Sequence, residues 1–157
     1  MKFMVKFFFV CLAAFIFISC DDLVVFEENA SIANAKWNTS DVKSFEFDIT
    51  DTVRMHDLFV NLRNGENYPY SNIYLFIELQ FPNGKKSMDT LECTLADETG
   101  RWYGSSGAGD IYENRFTYYQ RRQFPLGGRY RIDIVQAMRT DVLEGIYDVG
   151  FRVARSK

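Results

Sequence analysis

Ile73, Leu75, Ile77, Leu79 and Phe81 occupy every second position of one stretch, with Tyr74, Phe76, Glu78 and Gln80 between them. A period of two puts the first set on one face of a strand and the second on the other. The pattern recurs along the chain. Phe45, Phe47 and Ile49 alternate with Ser44, Glu46 and Asp48, and Leu58, Val60 and Leu62 repeat the arrangement. So do Leu91, Cys93 and Leu95, then Tyr130, Ile132 and Ile134, then Val149, Phe151 and Val153. Tyr112 to Phe124 reads as a further strand. Asn64-Gly65, Pro82-Asn83-Gly84 and Pro125-Leu126-Gly127-Gly128 supply the fixed or positive φ that turns require. No ten-residue helical stripe is present, and Ala137 to Gly145 has room for one helical turn at most. About seven or eight strands predict an all-β fold, an antiparallel β-sandwich.

The N-terminus breaks this pattern. A basic start, Met1 to Lys6, precedes twelve apolar residues from Phe7 to Ile18. At about 1.5 Å per residue this run covers roughly 18 Å, short of the ~30 Å hydrocarbon core of a bilayer. It therefore predicts a secretory signal peptide over residues 1–19. Phe17-Ile18-Ser19-Cys20 resembles a bacterial lipoprotein box, with a small residue before the cysteine and Phe where Leu is usual. Cys20 is then the lipidation site, and two or three acyl chains anchor firmly where one does not. Residues 20–41, with Asp21, Asp22, Glu27 and Glu28 ahead of the first base, predict a lipidated acidic tether. Val24, Val25, Phe26 and Trp37 are placed to dock on the domain, which spans residues 42–157.

The chain contains three cysteines. Cys11 leaves with the signal and Cys20 is acylated, so Cys93 alone cannot close an internal disulfide. Its alternation with Leu91 and Leu95 predicts a core thiol. The formal charge of −3 becomes two units more negative once Lys2 and Lys6 are removed. That sign argues against nucleic acid, whose binders carry basic surfaces. Histidine occurs once, at His56, which excludes a two-histidine zinc site within one chain. At a strand edge, His56 is expected on the surface rather than in a catalytic triad.

No constellation predicts catalysis. Gly104-Ser105-Ser106-Gly107-Ala108-Gly109 lacks the Lys-Ser/Thr and the helix of a phosphate loop, and predicts a mobile loop. Asp97, Glu98 and Asp110 lack calcium-loop spacing. Metal and cofactor are therefore not expected. The aromatic pairs carry more information: Tyr68-Pro69-Tyr70, Trp102-Tyr103 and Tyr118-Tyr119. Loop aromatics fill partner pockets or stack on sugars, and Pro69 lowers the entropy lost on immobilising its neighbours. The candidate binding residues are Tyr68, Tyr70, Trp102 and Tyr103, in loops at the end of the sandwich. The bland alternative makes these rings plugs of the core.

Leu58-Phe59-Val60-Asn61-Leu62-Arg63-Asn64 followed by Tyr68-Pro69-Tyr70-Ser71-Asn72 resembles the signature of the GldH family of gliding motility lipoproteins of the Bacteroidota. The resemblance continues through Phe81 to Lys85, Asp89 to Glu92, Gly107 to Ile111, Ala137 to Arg139, and Gly145 to Arg152. These blocks cover almost the whole chain after the signal. The resemblance implies a small envelope lipoprotein supporting the gliding machinery and the linked protein secretion system, without catalytic residues. The expectation is a non-enzymatic protein, anchored by lipid in the cell envelope at the outer membrane, acting through contacts with other motility or secretion proteins. A carbohydrate-binding lipoprotein is the alternative, because an aromatic-rich sandwich suits glycan capture.

Overall fold

The computed structural model describes residues 23–106 and 109–157. The signal segment 1–19 and Cys20 lie outside the described residues. Among the described residues, eleven strands follow in order: β1 (Val24–Ser31), β2 (Lys36–Asn38), β3 (Lys43–Ile49), β4 (Met55–Gly65), β5 (Asn72–Gln80), β6 (Lys86–Thr94), β7 (Ser105–Ser106), β8 (Ile111–Gln123), β9 (Gly128–Gln136), β10 (Val142–Glu144) and β11 (Ile146–Arg155). One sheet has the order β1-β11-β4-β8-β7 and the other β3-β9-β5-β6. A two-stranded pairing of β2 with β10 closes one end. All pairings are antiparallel.

The seven strands expected from alternation are β3, β4, β5, β6, β8, β9 and β11. The chain adds β1 and three strands of two or three residues. Ala137 to Gly145 holds no helix but contains β10.

The two sheets face each other through the apolar sets. Ile73, Leu75, Ile77 and Leu79 of β5 and Ile132 and Ile134 of β9 meet Leu58, Val60 and Leu62 of β4 and Val149, Phe151 and Val153 of β11 in one core. Burying such side chains stabilises the fold by about 1.5–3 kcal/mol each. Near the start of β1, Phe47 stacks on Tyr130 at 5.7 Å and meets Phe151 at 5.6 Å. We call this end the base, since β1 begins there with β4, β6 and β9. The crown is the opposite end, where β5, β8 and β11 begin.

The acidic segment 20–41 is not a tether over its described part. Val24 pairs with Ala154 and Ser31 with Asp148, so β1 is an edge strand of the larger sheet. Trp37 is fully buried and donates its indole N–H to the Asp41 carbonyl at 2.8 Å. The physical reason is register: Phe26 packs on Phe47 at 5.6 Å, and an edge strand leaves its acidic residues in water.

Cys93 is a free thiol with no exposed surface, and burial pushes its pKa up to about 12. The nucleophile is the thiolate, so the folded domain is expected to react slowly with a thiol reagent and quickly once denatured. Rapid labelling under native conditions would contradict the register of β6 against β5, in which Cys93 faces Ile73.

Candidate functional site

The crown gathers the candidate aromatics. Pairing of Asn72 with Thr94 brings the segment before β5 beside the segment after β6. A bridge between Ala96 and Trp102 folds the following loop back onto it. Tyr68 lies 5.8 Å from Tyr70 and 6.3 Å from Trp102, ring to ring, and Trp102 lies 5.9 Å from Tyr112. The two loops thus form one cluster.

Their roles differ. Tyr68 is 3% exposed and its hydroxyl donates to the Asn72 carbonyl at 2.8 Å, so it is a core plug rather than a contact residue. Gly145 holds the backbone close against it: at φ +87°, an added Cβ would stand 2.8 Å from Tyr68 Cα. Trp102 is half-buried against the core. Tyr70 and Tyr103, at 42% and 49%, are the rings that meet solvent.

The loop after β6 is ordered by Asp97, whose carboxylate accepts from the Thr99 hydroxyl at 2.6 Å and from the Arg101 N–H at 3.0 Å. These hydrogen bonds hold its pKa down at about 2. Among the described residues, no group of three or more potential ligands could hold a metal ion. Ser105 and Ser106 of the glycine-rich stretch pair with Glu113 and Tyr112 as β7. Gly107 and Ala108 lie outside the described residues.

The outward face of the larger sheet carries a second site that alternation does not reveal. Glu27 of β1 accepts from Asn61 of β4 at 3.0 Å and Arg115 of β8 at 2.7 Å, and also pairs with Arg152 of β11. Asp148 accepts from Ser31 and Arg63, each at 2.8 Å. Arg63 also lies 3.4 Å from Glu113. Glu27, Asn61, Arg63, Glu113, Arg115 and Asp148 border a groove of about 410 Å³, and Arg152 pairs with Glu27 from outside its lining. Gly150 lies opposite both Asn29 and Asn61, and a Cβ there would collide with the Asn29 amide oxygen. The groove lining holds three acids, Glu27, Glu113 and Asp148, against Arg63 and Arg115, and is dense in fixed donors and acceptors. The polar residues at alternate positions, Asn61 and Arg63 on β4 and Asp148 and Arg152 on β11, look like any solvated strand face. The convergence itself needs the strand order.

His56 is not on the surface. It is 2% exposed, and its ring meets Phe124 edge-on at 5.4 Å. In the alternation of β4 it shares the inward face with Leu58. Asp57, on the other face, accepts from Ser156 Oγ at 2.6 Å and the Arg121 N–H at 2.8 Å. His56 and Asp57, adjacent in the chain, therefore lie on opposite sides of one strand. Burial lowers the His56 pKa below 6.5, outweighing the opposing effects of Asp51 and the Arg54 carbonyl. The unfolded chain then takes up a proton that the folded domain refuses. Stability is full above pH 6.5 and falls as the pH drops below it, by at most about 1.4 kcal/mol per pH unit. Asp51 and Asp57 have lowered pKa values and lose their contribution only below pH 3.8, outside this window. Urea midpoints at pH 5 and pH 7.5 should differ in the native chain, and the difference should shrink in His56→Gln.

The fold and these two sites define an all-β sandwich whose candidate functional elements are an open face and an aromatic crown. The chain belongs to the GldH lipoprotein family, whose profile matches residues 24–153. It is 41% identical over 148 residues to a protein named gliding motility lipoprotein GldH homolog from Christiangramia forsetii, covering 90% of each chain. It is 38% identical over 149 residues to the gliding motility lipoprotein GldH of Flavobacterium johnsoniae, covering 90% of this chain and 91% of that one. Among solved structures, a family GH115 4-O-methyl-alpha-glucuronidase superposes with a TM-score of 0.43 at 11% identity, covering 85% of this chain and 18% of that one. A likeness at that level carries no functional argument.

The blocks of family resemblance meet in space. Residues 58–64 lie on β4 and residues 145–152 on β11 and the turn before it, with Asp148 opposite Arg63 and Gly150 opposite Asn61.

Proposed function

We propose that this chain is a lipid-anchored, non-enzymatic cell-envelope protein that supports gliding motility and the linked secretion machinery through protein contacts. Cys20 carries the lipid, the outer membrane is its location, and the crown makes the contact. Family membership supports the motility setting. The observation that carries the contact is Tyr70 and Tyr103 standing in solvent beside the anchored Trp102. A rigid base under exposed aromatics is the arrangement that hot spots favour.

Deleting the gene should abolish colony spreading and change the set of secreted proteins. Complementation with Tyr70→Ala or Tyr103→Ala should restore protein levels but not spreading, with melting temperatures within a few degrees of the native value. Tyr68→Ala should instead cost about 3–5 kcal/mol, as for a buried aromatic. Full spreading with both exposed rings removed would reject the crown as the contact.

The groove on the larger sheet, with its paired polar side chains, favours glycan binding as a second reading. Fixed planar amides, with carboxylates and guanidinium groups already paired to one another, suit a neutral polyhydroxylated ligand better than an ion. Retention on a glycan array, lost in Asn61→Ala, would support it. Pull-down of envelope proteins without glycan retention would support the first reading.

A further inference from the structure

The outward face of the smaller sheet is divided along its strands. Toward the crown it is apolar. Phe76 of β5 is 47% exposed, Val135 of β9 stands opposite it, Tyr74 lies two positions away on its own strand, and Met88 of β6, 71% exposed, is its diagonal neighbour. Toward the base the face is ionic, in a row that crosses all four strands. Glu46 of β3 lies opposite Arg131, Arg131 opposite Gln80, and Gln80 opposite Lys86 of β6. One edge of the sheet is therefore acidic, with Asp48 following Glu46 on the same face, and the other ends in Lys86. A contiguous exposed apolar patch with a polar border marks a contact surface.

The free edge of β6 does not make that contact. The Asp89 carboxylate accepts the Thr90 N–H and the Tyr119 hydroxyl, each at 2.8 Å, and so caps the middle of the strand. The face itself is large enough. Four strands, three of them nine residues long, outline roughly 19 by 30 Å, and side-chain relief brings that footprint near the ~800 Å² per partner of a stable interface.

The pattern of the face also matches itself. Two copies can stack on it about a two-fold axis that runs across the strands or along them. An axis across the strands turns the ionic half of one copy onto the apolar half of the other, which buries charge without a partner. An axis along the strands, between β5 and β9, keeps like halves together and sets β3 over β6 and β5 over β9. Glu46 of each copy then faces Lys86 of the other. Phe76 of each faces Val135 of the other, so four apolar side chains meet at the axis. Asp133 and Glu78 also meet, each already neutralised, by Arg131 at 2.9 Å and Lys86 at 2.6 Å.

We propose that this face docks a second copy of the chain, about a two-fold axis along the strands between β5 and β9. Both chains then leave toward Cys20 at the same end, and the two crowns stand side by side at the other.

The test uses membranes carrying the full chain. With strands about 4.8 Å apart and facing sheets about 10 Å apart, the Cα of residue 80 stands roughly 11 Å from its counterpart, within reach of a short bismaleimide. Gln80→Cys should give covalent dimer about fivefold above Asn61→Cys, a control on the outward face of the larger sheet. Cys93 is buried and does not take the reagent. Adding Phe76→Glu to Gln80→Cys should return the yield to the control level. Adding Glu46→Lys or Lys86→Glu alone should lower it about threefold, and adding both should regain about half of the loss or more. Within one copy these two residues sit at opposite edges of the sheet, roughly 14 Å apart, so recovery reports contact between copies. Equal yields at 80 and 61, a product at 80 whose mass is not twice that of the chain, or a double reversal no better than the single ones refutes the proposal.

Discussion

Trp37→Ala is expected to cost the domain about 3–5 kcal/mol, a large part of the ~5–15 kcal/mol that holds a domain of this size. The indole is fully buried, its N–H is satisfied by Asp41, and β2 sits opposite β10 with Trp37 facing Leu143. Removing the ring leaves a cavity where β2 and β10 close the crown. Val42→Ala, at an exposed neighbour, should change stability by less than about 0.5 kcal/mol and serves as the control. Denaturation midpoints that coincide for the native chain and Trp37→Ala would return this segment to the status of a linker.

Cys20→Ala should produce the largest cellular effect. With no thiol to acylate, the chain should remain as an uncleaved precursor or be released from membranes, and metabolic labelling with a fatty acid should fall to background. The motivation is the twelve-residue apolar run ending at Ser19-Cys20. Two or more acyl chains hold a protein firmly, so their loss is close to all-or-none. Equal label in the variant and the native chain would overturn the lipoprotein reading of this cysteine.

The seven long strands were legible because each has one face buried, and burial writes a period of two into the sequence. β1 was not, for a related reason. Edge strands bury little, and Glu27, Glu28 and Asn29 give Val24–Ser31 the composition of a solvated linker. His56 was misplaced by its polarity, although its spacing from Leu58 and Val60 puts it on the inward face. The crown was legible in its residues but not in their ranking. Only the fold separates Tyr68, which fills the core, from Tyr70 two positions on. The groove could not be read at all. Glu27, Asp148 and Arg115 are far apart in the chain and meet only because β11 is inserted between β1 and β4.

That insertion has a consequence for export. β11, the last of the described strands in chain order, is an inner strand of the larger sheet, flanked by β1 on one side and β4 on the other. Until β11 arrives, β1 has no partner in its sheet and the Phe47 cluster lacks Phe151. The chain therefore cannot complete its larger sheet before β11 is made, and such long-range closure is slow. A nascent chain in this state remains threadable, so translocation can proceed before the fold locks. Removing β11 would leave the translocated remainder with two open strand edges and no route to closure, a substrate for envelope proteases rather than a shorter protein.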